Sequence, residues 1–388
     1  MEIFFWIACF IIFYTYIGYG LILFLLVKTM RREKQKTSSN QSLPSLTVVV
    51  AAYNEADIIR QKLTNTISLE YPPELKQVIV VTDGSTDETP LIVKQFTGLR
   101  LMHNNERRGK INAIHRVMQE VTTDIVVFTD ANTFLNQDAL LLLASHYQDP
   151  NTGAVAGEKR VAVEGAGDAA STEGVYWKYE SQLKKWDAEL YTVVGAAGEL
   201  FSMRTALYSP VPADTILDDF QISLQVVQQG FRVAYEPNAI AREEASADVK
   251  EELKRKIRIA AGGIQAVIRL WSLLNPLRYP LVSFQYISHR VLRWTLTPLL
   301  LPVVLLLNII LITAGNATVY KIILIMQVLF YSAALSGYLI EKRGGKVKAL
   351  FVPYYFCLMN YAVFAGMKRY LTGKQSAIWE KSRRKETV

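Results

Sequence analysis

Apolar positions crowd both ends of this chain and leave a mixed, alternating middle. Residues 3–27 contain no charged side chain. At about 1.5 Å per residue, such a helix outreaches the ~30 Å hydrocarbon core of a bilayer. Glu2 precedes it, and Lys28, Arg31, Arg32, Lys34 and Lys36 follow it. A cleaved leader places its positive residues first. The pattern therefore predicts an uncleaved spanning helix, amino end outside and Lys28 onward inside. Residues 297–314 and 322–340 predict two more spans, joined by a turn around Gly315 and Asn316, and 341–348 returns basic charge to the inside. Residues 350–367 are apolar but polar-spotted, and Lys368, Arg369 and a basic tail follow. Crossing would carry that tail outside, against the positive-inside rule. A span and a re-entrant or interfacial helix both stand for this segment.

Between these ends the period changes. The runs at 46–51 (LTVVVA), 78–82 (VIVVT) and 124–129 (DIVVFT), with a weaker one at 99–103, are rich in β-branched residues. Continuous apolar runs of this length predict strands buried on both faces. Helical stretches at 56–69, 87–96, 110–119 and 138–147 alternate with them, which predicts a mostly parallel sheet covered by helices. Beyond residue 150 the pattern loosens. At 250–271, Leu253, Ile257, Ala260, Ile264, Val267 and Trp271 recur at helical steps beside Lys250, Lys254, Arg255, Arg258 and Arg269. An apolar stripe with basic flanks predicts a helix in the membrane interface; a helix packed on the soluble core is the plainer alternative.

Composition sharpens this in two respects. The 388 residues carry a net charge of +8, a balance that also suits nucleic-acid binders. Here much of the excess flanks apolar segments, which points to membrane topology and anionic lipid instead of nucleic acid. The two cysteines, Cys9 and Cys357, lie within apolar stretches. They suggest neither a disulfide framework nor a zinc site, consistent with a reducing compartment for the soluble part.

The candidate chemistry sits where the strands end, since ligands of open parallel sheets bind beyond the strands' carboxyl ends. Ala52-Tyr53-Asn54-Glu55 follows the first strand, Asp83-Gly84-Ser85-Thr86-Asp87 the second, and Asp130-Ala131-Asn132-Thr133 the strand at 124–129. A carboxylate and an amide carbonyl two residues apart are hard oxygen ligands suited to Mg²⁺ or Mn²⁺ shared with a diphosphate. Asp and Asn are equally at home in a plain strand-ending turn. Asp83 could bind a nucleotide base, or its segment could simply turn the chain and cap the next helix.

In combination the segments say more. VVVAAYNEADII at 48–59, VVTDGSTDET at 80–89, RRGKINAI at 107–114 and FTDANT at 128–133 occur in an order and spacing that resembles the membrane-bound family 2 glycosyltransferases, which include cellulose, chitin and hyaluronan synthases. The resemblance covers about 45–265. It implies an α/β fold of GT-A type, a nucleotide-sugar-binding domain with a mostly parallel sheet, between N- and C-terminal transmembrane helices. It implies that Ala52, Tyr53 and Glu55 border the nucleoside, that Asp83 binds the base, that Lys110 approaches the diphosphate, and that Asp130 and Asn132 occupy the metal-binding Asp-x-Asp position. Asn132 replaces the second Asp and removes one charge. Gly195 and Gly198 resemble the small-residue segment beside the acceptor. Leu217-Asp218-Asp219 resembles the family's Thr-Glu-Asp, with Asp219 as general base and Asp218 raising its proton affinity. Processive members carry Gln-x-x-Arg-Trp; here Arg255-Lys256-Ile257-Arg258-Ile259 keeps the cation Arg258 beside Arg255 but lacks the Gln and Trp.

The expected layout is an N-terminal transmembrane helix (1–28), a basic linker (29–45), a cytoplasmic glycosyltransferase domain (46–248), interfacial amphipathic helices (249–295), transmembrane or re-entrant helices (296–371) and a basic tail (372–388). The expected function is inverting transfer from a nucleoside diphosphate sugar, with UDP favoured, to a lipid-linked or polysaccharide acceptor at the cytoplasmic (inner) membrane face, using Mg²⁺ or Mn²⁺. A processive synthase and a catalytically weakened partner subunit remain as alternatives, and oligomers or accessory subunits are left open. A nucleotidyltransferase would show a glycine-rich phosphate loop after the first strand, and AAYNEAD is not one.

Overall fold

The computed structural model describes residues 1–30, 42–162, 168–244, 249–315, 318–345, 347–374 and 376, with side chains at 162 and 168–177 left aside. The basic residues Arg31, Arg32, Lys34 and Lys36, the turn residue Asn316, the rings of Tyr176 and Trp177, and the tail around Trp379 and Lys381 lie outside the described residues. The chain divides into two compact units. One takes in the described residues of Met30–Ala162 and Lys184–Glu251; the other those of Met1–Thr29, Val163–Leu183 and Glu252–Gln375.

The first unit is built on one eight-stranded sheet. Its strands are β1 Leu46–Ala52, β2 Lys76–Asp83, β3 Arg100–Asn104, β4 Ile125–Asp130, β5 Thr133–Leu135, β6 Thr152–Ala162, β7 Leu200–Arg204 and β8 Arg232–Glu244. They lie in the order β3-β2-β1-β4-β7-β6-β8-β5. The four predicted strands form the parallel half: β1 pairs with β2 and with β4, and β2 with β3. Every residue of β1 is buried, as a central strand with both faces covered requires. Leu46, Val48, Val50, Val80 and Val127 pack with Ile59 and Leu63 of the helix Ala56–Ile67 and with Leu140 and Leu143 of the helix Ala139–Ser145. Because β1, β2 and β4 run the same way from one core, their last residues, Ala52, Asp83 and Asp130, emerge at one edge. The looser pattern after residue 150 proves to hold three more strands: β7 pairs antiparallel with β4 and β6, and β8 runs parallel to β6. β6 and β8 pair through a bulged register and β7 is a short strand interrupted by Ser202, so the continuous apolar run that marks β1 does not mark them.

The second unit is helical. Among the described residues, four helices are long and apolar enough to cross a membrane: Glu2–Thr29, Leu296–Thr313, Thr318–Lys342 and Lys348–Leu371. The first contains a π-helical turn at Tyr14–Gly18. The ambiguous segment at 350–367 is thus one helix of 24 residues. Phe5 and Ala8 pack with Leu300, Val304, Leu311 and Tyr320. The amphipathic stretch forms the helix Val249–Arg269. It is packed within this helical unit and not left bare: a Cβ on Gly366 would lie 2.7 Å from that of Ala260, and one on Gly263 would meet the Trp294 indole. Small residues let helices approach this closely.

Candidate active site

The loops at the sheet edge form an open pocket lined by Ala51, Ala52, Tyr53, Asp83, Arg107, Gly109 and Lys110, among others. Asp83 ends β2, and its Oδ2 accepts the backbone N–H groups of Arg108 (2.9 Å) and Gly109 (2.5 Å). Its Oδ1 is buried and has no partner. The turn after it needs Gly84: φ is +68° there, and a Cβ would come within 2.7 Å of the Arg107 Cα. Arg107 lies over the Tyr53 ring, 3.9 Å from its centroid, a cation–π arrangement on the pocket wall. Asn54 knits the first two loops together by accepting the Thr86 N–H at 2.8 Å. Glu55 is buried, is not among the residues lining the pocket, and its backbone starts the helix Ala56–Ile67 while its N–H donates to Thr89.

Lys110 links this pocket to the acidic residues. It opens the helix Lys110–Met118, lines the pocket, and places Nζ 2.7 Å from Asp130 Oδ1. Asp218 and Asp219 stand in the first turn of the helix Asp218–Gln228. Gly198 shows how close the groups are: a Cβ there would lie 3.3 Å from Asp219 Oδ2 and 3.4 Å from Lys110 Nζ. Gly195, at φ +84°, could carry no Cβ without striking the Phe220 ring. Burial, reinforced by the neighbouring Asp218, pushes the Asp219 carboxyl up to about 7, against the pull of Lys110. Burial also raises Asp130, opposed by Lys110. Burial alone would lower Lys110, but Asp130, Asp218 and Asp219 hold its ammonium well above the usual lysine range.

Asn132 is 4% exposed. Its Nδ2 donates to Glu243 Oε1 at 3.0 Å, and its Oδ1 is buried without a partner. Leaving such an oxygen unpaired costs on the order of 1–3 kcal/mol, so it is a natural place for a ligand. One carboxylate and one free amide oxygen fit a hard divalent cation that takes its remaining ligands from phosphate and water. No group of three or more His, Cys, Asp or Glu residues fit to hold a metal occurs among the described residues, and a cation of that kind needs none.

Sequence reasoning missed the residues beneath this turn. Lys62, fully buried, donates to Thr129 Oγ1 (2.9 Å) and to the Thr133 carbonyl (2.6 Å). Burial pushes its ammonium down to about 7, opposed by Asp130. Lys159 bridges Glu199 and Glu243, and the Glu199 carbonyl accepts the Thr129 hydroxyl at 3.0 Å. The one signal available for Lys62 is its position in the apolar stripe with Ile59, Leu63 and Thr66. Lys159 and Glu243 meet through sheet pairing across distant strands, which no local pattern reveals. Arg255 and Arg258 lie on the helix Val249–Arg269 of the other unit, where Arg255 pairs with Glu252 at 3.1 Å.

Residues 47–210 match the family described as Glycosyl transferase family 2. The chain is 27% identical over 282 residues to the poly-beta-1,6-N-acetyl-D-glucosamine synthase of Staphylococcus aureus, covering 69% of this chain and 67% of that one. It is 23% identical over 291 residues to the synthase of the same name from Staphylococcus epidermidis, covering 72% and 70%. Among solved structures it resembles the mannosyltransferase PcManGT from Pyrobaculum calidifontis, in complex with GDP-Man and Mn²⁺, with a TM-score of 0.72 at 22% identity over 95% of this chain and 99% of that one.

Proposed function

This chain carries a family 2 glycosyltransferase domain with the GT-A fold, and from that premise we propose that it transfers a sugar, with inversion, from a nucleoside diphosphate donor to a lipid-linked or glycan acceptor at the cytoplasmic face of a membrane. The observation that carries the reading is Lys110: one side chain both lines the pocket at the sheet edge and pairs with Asp130 beside Asp219. In this reading the unpartnered Asp83 Oδ1 accepts an N–H of the base, and Tyr53 stacks on it. A bound Mg²⁺ or Mn²⁺ would be held by Asp130 and Asn132 Oδ1 and would offset charge on the departing diphosphate. Lys110 supplies a fixed positive charge at the same point. Gly198 leaves room beside Asp219 for the acceptor. As the acceptor oxygen bonds to the anomeric carbon, its proton passes to the Asp219 carboxylate, and the bond from that carbon to the diphosphate oxygen breaks.

A second reading, repeated transfer to build a polymer, is favoured by the likeness to the Staphylococcus polysaccharide synthases. It makes a UDP-linked N-acetylhexosamine the first donor to test. The deciding experiment incubates purified protein with UDP-N-acetylglucosamine, UDP-glucose and GDP-mannose, with Mn²⁺ or Mg²⁺. One donor is expected to release its nucleoside diphosphate, with the release abolished by EDTA. If none of the three binds or is consumed, the proposal fails. Product length, read by gel or mass spectrometry, separates single from repeated transfer.

A further inference from the structure

The departure of Asn132 from the family's Asp-x-Asp is accompanied by a specific arrangement behind it. A carboxylate can only accept hydrogen bonds, so Glu243 must face the amide's NH₂ group and not its oxygen. That choice sets the orientation of the Asn132 amide chemically: Nδ2 goes to Glu243 Oε1 and Oδ1 is left unpaired. Glu243 is itself held twice. Its backbone pairs with Thr133, next to Asn132, across the β5–β8 ladder. Its second oxygen, Oε2, pairs with Lys159, whose side chain is 3% exposed and also grips Glu199.

We propose that Glu243, anchored by Lys159, is the positioning residue that makes Asn132 a metal ligand, and that Asn132 and Glu243 are a matched pair. The inference rests on the assignment of Asp130 and Asn132 to a divalent cation. With Asp at 132 a second carboxylate would face Glu243 without a proton to share, and the contact that now orients the side chain would become a repulsion. The lost charge of Asn132 is thus the condition for this Glu243–Lys159 support.

The test uses the full chain in detergent and reads Mn²⁺ binding by EPR in the presence of UDP and, separately, GDP. Outer residues that orient metal ligands typically govern affinity by about 10-fold or more. Glu243→Leu is therefore expected to weaken Mn²⁺ binding by about 10-fold, while nucleoside diphosphate binding in EDTA is unchanged. Glu243→Gln, which still offers an acceptor, is expected to keep most of the Mn²⁺ affinity. In EDTA, Asn132→Asp should lower the melting temperature, and adding Glu243→Gln should restore it. This second pair decides the matter should Glu243→Leu not fold. The proposal is overturned by a folded Glu243→Leu protein that binds Mn²⁺ like the parent, or by an Asn132→Asp protein equally stable with either residue at 243. Asp130→Ala separates the two levels. If it abolishes Mn²⁺ binding while Glu243→Leu does not change it, only the pairing is wrong; if Asp130→Ala also binds normally, the metal assignment falls and the pairing with it.

Discussion

Asp219 concentrates the chemistry of the site in one titration. Its carboxyl, pushed up to about 7 by burial and by Asp218, must be ionised to accept a proton. A pH profile of kcat/KM should therefore climb through about pH 7 and level off above it; a profile flat from pH 5 to 8 would rule the residue out as base. Stability should move the other way. The folded state holds this proton in a window where the unfolded chain, near 3.8, has released it, so stability from this group falls as pH rises from about 4 to about 7. Asp219→Asn removes that burden while deleting the proposed base. Transfer should drop by about 100-fold or more, with donor binding retained and a higher melting temperature at pH 8. An Asn variant with full activity would reassign the base. Asp83 and Asp130 at strand ends, and Lys110 and Asp219 at helix starts, lie in short motifs that can be located along the sequence. Lys62, Lys159 and Glu243 do not, because their roles arise from burial and cross-strand contact.

At the level of elements, the helix Ala56–Ile67 does more than cover the sheet. It inserts Lys62 under the turn that joins β4 to β5, tying both ends of the Asp130–Asn132 segment. Lys62→Met, nearly equal in volume, should leave the fold intact but loosen this turn, and Mn²⁺-dependent donor binding is expected to fall several-fold. Unchanged affinity in a titration would show that the turn holds itself. In the helical unit, Gly366 sits against Ala260, Ala261 and the Ile257 carbonyl. Overpacking a close contact costs about 1–3 kcal/mol, so Gly366→Val should lower the melting temperature in detergent clearly, whereas Gly373→Ala, with open space around its Cβ position, gives a φ-dependent loss without a clash. Equal behaviour of the two would argue against close packing at Gly366.

For the whole molecule, the charge pattern predicts which side each connection faces. In a background lacking Cys9 and Cys357, a cysteine replacing Gly315 should react with an impermeant maleimide on intact cells. A cysteine replacing Gly344 should react only after permeabilisation. The opposite pattern would invert the proposed orientation and remove the catalytic unit from the cytoplasm. The helix Lys348–Leu371 keeps both of its readings in this assay, since neither site lies beyond it.

Burial leaves a local trace in an amino-acid sequence, and so the four-strand parallel core and the four long apolar helices could be read without coordinates: each depends on a run of residues that is apolar wherever it meets core or lipid. Motif order likewise carried the pocket residues, because side chains at the ends of adjacent parallel strands must share an edge. The mixed half formed by β6, β7 and β8 needed the folded chain, since β6 and β8 pair through a bulged register and β7 is a short strand of mixed polarity. So did the proton affinity of Asp219 and the orientation of the Asn132 amide. Those depend on which charges and acceptors distant segments bring within a few ångströms, a matter settled by packing and not by neighbours along the chain.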